Sequence, residues 1–182
     1  MTEPSSDIAA VTAFWREAGP QAWFRKDDAF DARFRERFMD LHLRAAAREL
    51  DHWADSAEGA LALMILLDQL PRNCFRGTAH MFATDPLARA LAKRCIDAGL
   101  DQQIEPALRG FLYLPLMHSE ELADQTRSVE LYEAMGGPSL PHAIEHRDII
   151  ARFGRFPHRN PLLGRDTTAD EWAFLQAGGF AG

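Results

Sequence analysis

The stretch DSAEGALALMILLDQLP, residues 55–71, decides the fold. Between Ala60 and Leu67 it is apolar on every side, with neither the alternation of a half-exposed strand nor one polar face. That pattern reads as a helix buried all round, and such a helix needs other helices packed about it. Asp55 and Glu58 have the three-residue offset of a capping box and predict its start. Asp68 and Gln69 fall in its last turn. Pro71 lacks an N–H and crowds the carbonyl four residues back, so it is expected to stop the helix.

Helix signals continue in both directions from this centre. Upstream, Asp27 or Asp28 caps a helix whose Phe30, Phe34, Phe38 and Leu41, at spacings of four, four and three, make a core-facing stripe. Asp7 is expected to cap an earlier helix carrying Ile8, Val11, Phe14 and Trp15, ended by Gly19-Pro20. Downstream, Asp85-Pro86 reads as a cap followed by proline at the first helical position, and Leu87, Leu91 and Ile96 line that helix up to Gly99. An apolar segment from Leu108 to Leu116 is broken by Pro115. Ser119 caps a helix carrying Leu122, Val129, Leu131 and Met135, which Gly136-Gly137 ends. The next helix runs from Leu140 to Phe153. After a proline-containing loop, Thr168 and Glu171 form a second capping box before a short helix with Trp172 and Leu175. Strand and hairpin signals are nearly absent. The expectation is an all-α fold of seven to eight antiparallel helices, in a helical-hairpin stack, as a single domain over residues 1–182.

Bulk composition narrows the function. Hydrophobic residues make up 47% of the 182, enough for a packed core. Twenty-seven acids against twenty Lys and Arg give a net charge of −7, which argues against a chain-wide surface for nucleic acid or anionic lipid. Cys74 and Cys95 lack C-x-x-C spacing and read as reduced, buried, apolar groups. Met1–Asp7 has no basic start before an apolar run, and Ala60–Leu67 is too short to cross a bilayer. A cytoplasmic location is the default expectation.

Three segments at helix breaks carry polar groups that need partners. Asp68, Arg72 and Asn73 follow the apolar helix directly; they line a pocket or lock a buried helix end, since unpaired burial costs about 1–3 kcal/mol. His118 precedes a helix start beside Glu120 and Glu121 and is either a proton carrier near neutral pH or a side chain anchoring the turn. The third is Arg152-Phe-Gly-Arg155-Phe-Pro-His158-Arg159-Asn160. From Arg147 to Asp166 there are five Arg against Asp148 and Asp166, opposite in sign to the whole chain. Such a loop binds an anion through planar guanidinium forks, or clamps acidic groups of its own protein. His142 and His146 match an H-x-x-E-H pattern, but a catalytic zinc also needs a third ligand, and no metal is assigned. Phosphate-loop, dinucleotide and serine-hydrolase signatures are missing, so no cofactor is assigned.

Four stretches together resemble a bacterial family known as domain of unknown function 924: Trp23-Phe24 with Asp27–Phe38; Leu66–Asn73; Leu112–Glu120 with Gln125; and Arg152–Asn160 with Leu163-Gly164-Arg165. They span nearly the whole chain in order. The resemblance implies an all-α, tetratricopeptide-like fold and implies no reaction. The sequence departs from the family pattern at Leu70, where Phe is typical, and at Cys74, where Ile is typical. His142 lies outside that pattern and His146 inside it.

Two functional readings follow. In the first, the chain binds or acts on a small anionic ligand where the three breaks converge. Arg72, Asn73, Arg152, Arg155, Arg159 and Asn160 hold it, His158 or His118 moves protons, and Asp68 orients a histidine. In the second, the chain is a helical scaffold for a protein partner and the polar cluster is internal cement. Oligomeric state is not readable from the sequence.

Overall fold

The computed structural model describes residues 4–182. Among them the chain is all helical, with no strands, and eight of its α-helices have eight residues or more. In chain order they are α1 (Pro4–Ala18), α2 (Pro20–Trp23), α3 (Asp28–Ala46), α4 (Ala57–Met64), α5 (Leu70–Cys74), α6 (Asp85–Asp97), α7 (Pro106–Met117), α8 (Leu122–Met135), α9 (Leu140–Phe153) and α10 (Ala169–Gln176). Among the described residues, no helix is long and apolar enough to cross a membrane.

The apolar run from Ala60 to Leu67 has no exposed surface at all, as its all-round hydrophobicity requires. Its start is one residue later than the capping-box reading placed it. Ser56, not Asp55, is the N-cap, and its Oγ accepts from Gly59 N–H at 3.2 Å. Gly59 is needed there, because a Cβ would fall 2.1 Å from the Trp53 carbonyl oxygen.

Pro71 does not stop this helix. Between α4 and α5 the backbone widens into a π-helical turn, Ile65–Gln69, and the rod continues to Cys74. The π turn gives room for the proline ring, and the carbonyls left without an intrahelical donor find side chains. His42 Nδ1 donates to Leu66 O at 2.9 Å, and Thr84 Oγ1 donates to Leu67 O at 2.5 Å. Donors from distant residues thus replace the one proline lacks. Pro115, expected to break its segment, lies inside α7.

Other ends differ by short shifts. Asp7 sits in the first turn of α1, where an acid suits the positive helix end. Thr84 precedes α6, leaving the Asp85 carboxylate to serve Arg72. Asp27 caps α3 as expected, accepting from Ala29 and Phe30 N–H. The Thr168–Glu171 box opens α10.

The chain divides into two compact units. Residues up to Arg76 together with His80–Pro115 form the first. Its core stacks Phe14 on Phe30 and Phe34, with Trp15 against Trp23 and Phe111. Burying one such ring stabilises by about 1.5–3 kcal/mol, so the stripe on α3 anchors this unit. Cys74 and Cys95 are free and buried here, and desolvation pushes both thiols up to about 11. Gly77–Ala79 with Leu116–Gly182 form the second unit, where α8 and α9 pack as a helical hairpin. Its apolar centre is Ile149, Ile150 and Phe156, with Phe153, Phe174 and Phe180 packed against them.

Candidate functional site

Asp68, Arg72 and Asn73 belong to the first unit. The π turn directs Asp68 into the interior, where it is 1% exposed. Arg72 lies one turn on, with Nη1 2.8 Å from Asp68 Oδ1, and forks to the Asp85 carboxylate at 2.9 and 3.0 Å. Gln69 Nε2 donates to Asp68 Oδ2 at 2.6 Å, and Asn73 Nδ2 donates to Asp31 Oδ1 at 2.7 Å. Two acids around one guanidinium and a carboxamide make a matched network within the unit. An open depression of about 460 Å³ in this unit is lined by Ile8, Ala9, Thr12, Ala13, Arg16, Ser56 and Glu58, none of them a sequence candidate.

His118 and the arginine loop belong to the second unit. Gly154 closes α9 in the left-handed region, at φ +68°, which turns the chain back so that Phe156 enters the core. A 3₁₀ turn, Pro157–Arg159, then puts His158 and Arg159 beside that core.

Two carboxylates take up part of the basic loop. Glu171 forks to Arg155 at 2.6 and 2.9 Å and accepts from Asn160 Nδ2 at 3.2 Å. Arg155 first, then the Thr168 N–H, hold the Glu171 carboxyl down to about 2. Glu120 forks to Arg165 at 2.7 and 3.0 Å and accepts from Phe156 N–H at 2.8 Å. Burial pushes the Glu120 carboxyl up, and these donors outweigh it, leaving it below its ordinary value. Arg152 is exposed and lies over the Phe153 ring at 4.5 Å.

The remaining groups gather round three imidazoles. Arg159, 7% exposed, donates to the His118 carbonyl at 3.0 Å and lies over the Phe156 ring at 4.4 Å. His146, on α9, is 6% exposed and meets Phe156 edge-on at 5.4 Å. His158 lies 5.6 Å from the same ring. Desolvation first, then the nearby His118, Arg159 and His158, push His146 down to about 3. Desolvation and Arg159 push His158 down to about 4, against the pull of Glu120. Both imidazoles are therefore held neutral at pH 7, and their burial disfavours taking up a proton. Among the described residues, buried polar atoms with no hydrogen-bond partner occur in both units; in the second they include His158 Nδ1, Asn160 Oδ1 and Arg165 Nε in the loop, and Gln125 Oε1 and Ser128 Oγ on α8.

The structure thus brings His118, His158 and Arg159 together, with Arg155 and Asn160 tied to Glu171 on the same loop. Sequence reasoning missed two members. His146 had been weighed only with His142, yet His142 is exposed, while buried His146 bonds through Nδ1 to the His142 carbonyl at 2.8 Å. Glu171 had been read only as a helix cap. The signal for each was present: His146 lies on the inner face of α9 with Ile149 and Ile150, and an acid at a helix start beside an arginine-rich loop is a natural partner for it. Among the described residues no three His, Cys, Asp or Glu side chains come together as metal ligands would.

Residues 11–179 match the model of a family described as bacterial protein of unknown function, DUF924. The chain belongs to the DUF924 family. A solved structure of a protein of unknown function from Agrobacterium tumefaciens is 55% identical to this DUF924 chain. It superposes with a TM-score of 0.94, over 97% of this chain and 100% of the other. No curated protein matches.

Proposed function

We propose that this DUF924 protein binds a small anion of the carboxylate or phosphate kind at the His118–His146–His158–Arg159 cluster of its second unit. The observation that carries the reading is the company these groups keep. Three imidazoles and a guanidinium share one neighbourhood, while its carboxylate, Glu120, already forks to Arg165. A network built only as cement matches donors with acceptors, as Asp68, Arg72 and Asp85 do. Here, among the described residues, polar atoms are left over, and Arg165 Nε is buried with no partner, a donor that an anion could satisfy. His158 and His118 are half-buried at the edge of this cluster, and a neutral His158 would offer the ligand one ring N–H.

Differential scanning fluorimetry tests this with phosphate, sulfate and acetate against sodium chloride at equal ionic strength. Binding at a hundredfold excess over Kd stabilises by about 2.7 kcal/mol. The expected result is a saturable rise in Tm for at least one of the three anions, absent from chloride and lost in Arg159→Gln and His158→Gln. Equal responses to all four salts in the wild-type chain would sink the reading.

The alternative is a scaffold for a protein partner, built as a tetratricopeptide-like stack in a single cytoplasmic domain. It is favoured by the internal matching of Arg72, Arg155 and Arg165, and by the 52% exposure of Trp172 on α10. Equal salt responses together with a saturable partner on the Trp172 face would establish it.

A further inference from the structure

The sequence after α10 is Gly178-Gly179-Phe180-Ala181-Gly182, one aromatic residue among glycines and an alanine. Backbone bonds from Gly178 N–H to Leu175 O and from Gly179 N–H to Phe174 O finish the helix. Gly178 then turns at φ +83°, and Gly179 lies so close to Phe174 that a Cβ would sit 2.5 Å from its ring. Beyond that point residues 180–182 make no backbone–backbone hydrogen bond among the described residues. The Phe180 side chain anchors them. Its ring centroid is 4.5 Å from that of His146 and 5.1 Å from that of His158, and it packs on the Ile149, Ile150 and Phe156 core. The strand also crosses His158 directly, since a Cβ on Gly182 would lie 3.2 Å from His158 Cδ2.

We infer that Gly178–Gly182 is a strap over the imidazole cluster, hinged at Gly178 and Gly179 and fastened by Phe180, which must lift before a ligand reaches His146 and His158. Segments without backbone hydrogen bonds and with few apolar contacts open at a small fraction of the free energy of global unfolding. The glycines and Ala181 offer little surface to bury, so one side chain sets the opening equilibrium. The consequence for ligand entry rests on the anion reading above; the cover itself does not.

The test is histidine modification by diethyl pyrocarbonate in the intact chain, read site by site by mass spectrometry. His52, His80 and His142 are exposed and serve as fast references, buried His42 reports on the first unit, and an unchanged urea midpoint and slope report that the second stays folded. In the wild type His146 and His158 should react more slowly than the references. Phe180→Ala should speed both by roughly tenfold, with His42 unchanged, and Phe180→Leu should fall between the two. Wild-type rates at His146 and His158 in Phe180→Ala would overturn the strap. So would loss of protection at His42 in both variants, because Phe180 would then be part of the folding core. No anion is present, so failure here is separate from failure of the binding experiment. Unmasking by Phe180→Ala without any anion-specific Tm shift leaves the strap standing and removes the ligand.

Discussion

Two polar clusters, one at a π turn within a continuous helical rod and one where loops meet helix ends, are built on opposite plans. In the first unit Arg72 sits between two carboxylates, Asp68 and Asp85, and Gln69 completes the set. In the second, His118, His146 and His158 lie near Arg159, and burial instead of an acid partner dominates the electrostatics of His146 and His158. A charge matched by opposite charges holds a fold rigid across a wide pH range. A group kept neutral by desolvation makes the fold answer to protons. Arginine at a chain break is thus no guide to function until its partners are known.

The largest effect should come from breaking the matched cluster. Arg72→Met leaves two acids facing each other in the interior, and removing one partner of a buried ion pair costs about 3–5 kcal/mol. Urea denaturation should show this as a lower midpoint with an unchanged slope. A loss near zero would mean that the carboxylates reach solvent and that the network is not cement.

The imidazole cluster should respond to pH in the opposite sense to a salt-bridged histidine. His146 is depressed from 6.5 to about 3 when folded, so between those values the unfolded chain binds more protons. Its contribution is complete above 6.5 and is lost as the pH falls. His158, depressed to about 4, acts in the same direction, as does buried His42. Each pH unit of displaced titration is worth about 1.4 kcal/mol. The Glu171 carboxyl, held at about 2, adds a loss of the same sign only below its ordinary 4.5. The window from 4.5 to 6.5 therefore belongs chiefly to the histidines. Unfolding free energy measured across it should drop with acid in the wild type, and His146→Gln should flatten the slope. An unchanged slope in that variant would erase the contrast between the clusters.

The smallest effect sharpens the comparison on the side of the arginine loop. Thr168→Ala removes the N-cap that orients Glu171 towards Arg155 and Asn160, at a cost of about 1 kcal/mol. Arg155→Gln in the same background should add less than it does alone, as expected for residues sharing one network. Full additivity in the double-mutant cycle would separate the cap from the arginine fork.

Local rules were legible in the sequence where one segment supplied all the chemistry. The α3 stripe, the Asp27 cap, the Thr168–Glu171 box and the α9 boundaries depend on residues within a turn or two of each other. Pro71 was misread because its relief comes from His42 and Thr84, remote in sequence and supplying donors to the carbonyls beside the proline. His146 was passed over for a similar reason: its partners come from three separate breaks. Composition singles out Arg155 and Arg165, but which acids they face, Glu171 and Glu120, is not written in their spacing.

The sequence by itself determined that this chain is helical, where most helices begin and end, and which family it belongs to, because period, capping and turn chemistry act over a few residues. Only the tertiary structure decided which charges are matched, which imidazoles are stripped of water, and what lies across them. Those depend on solvent exclusion and on distances between segments far apart in the chain, and Coulomb and desolvation energies follow separation in space.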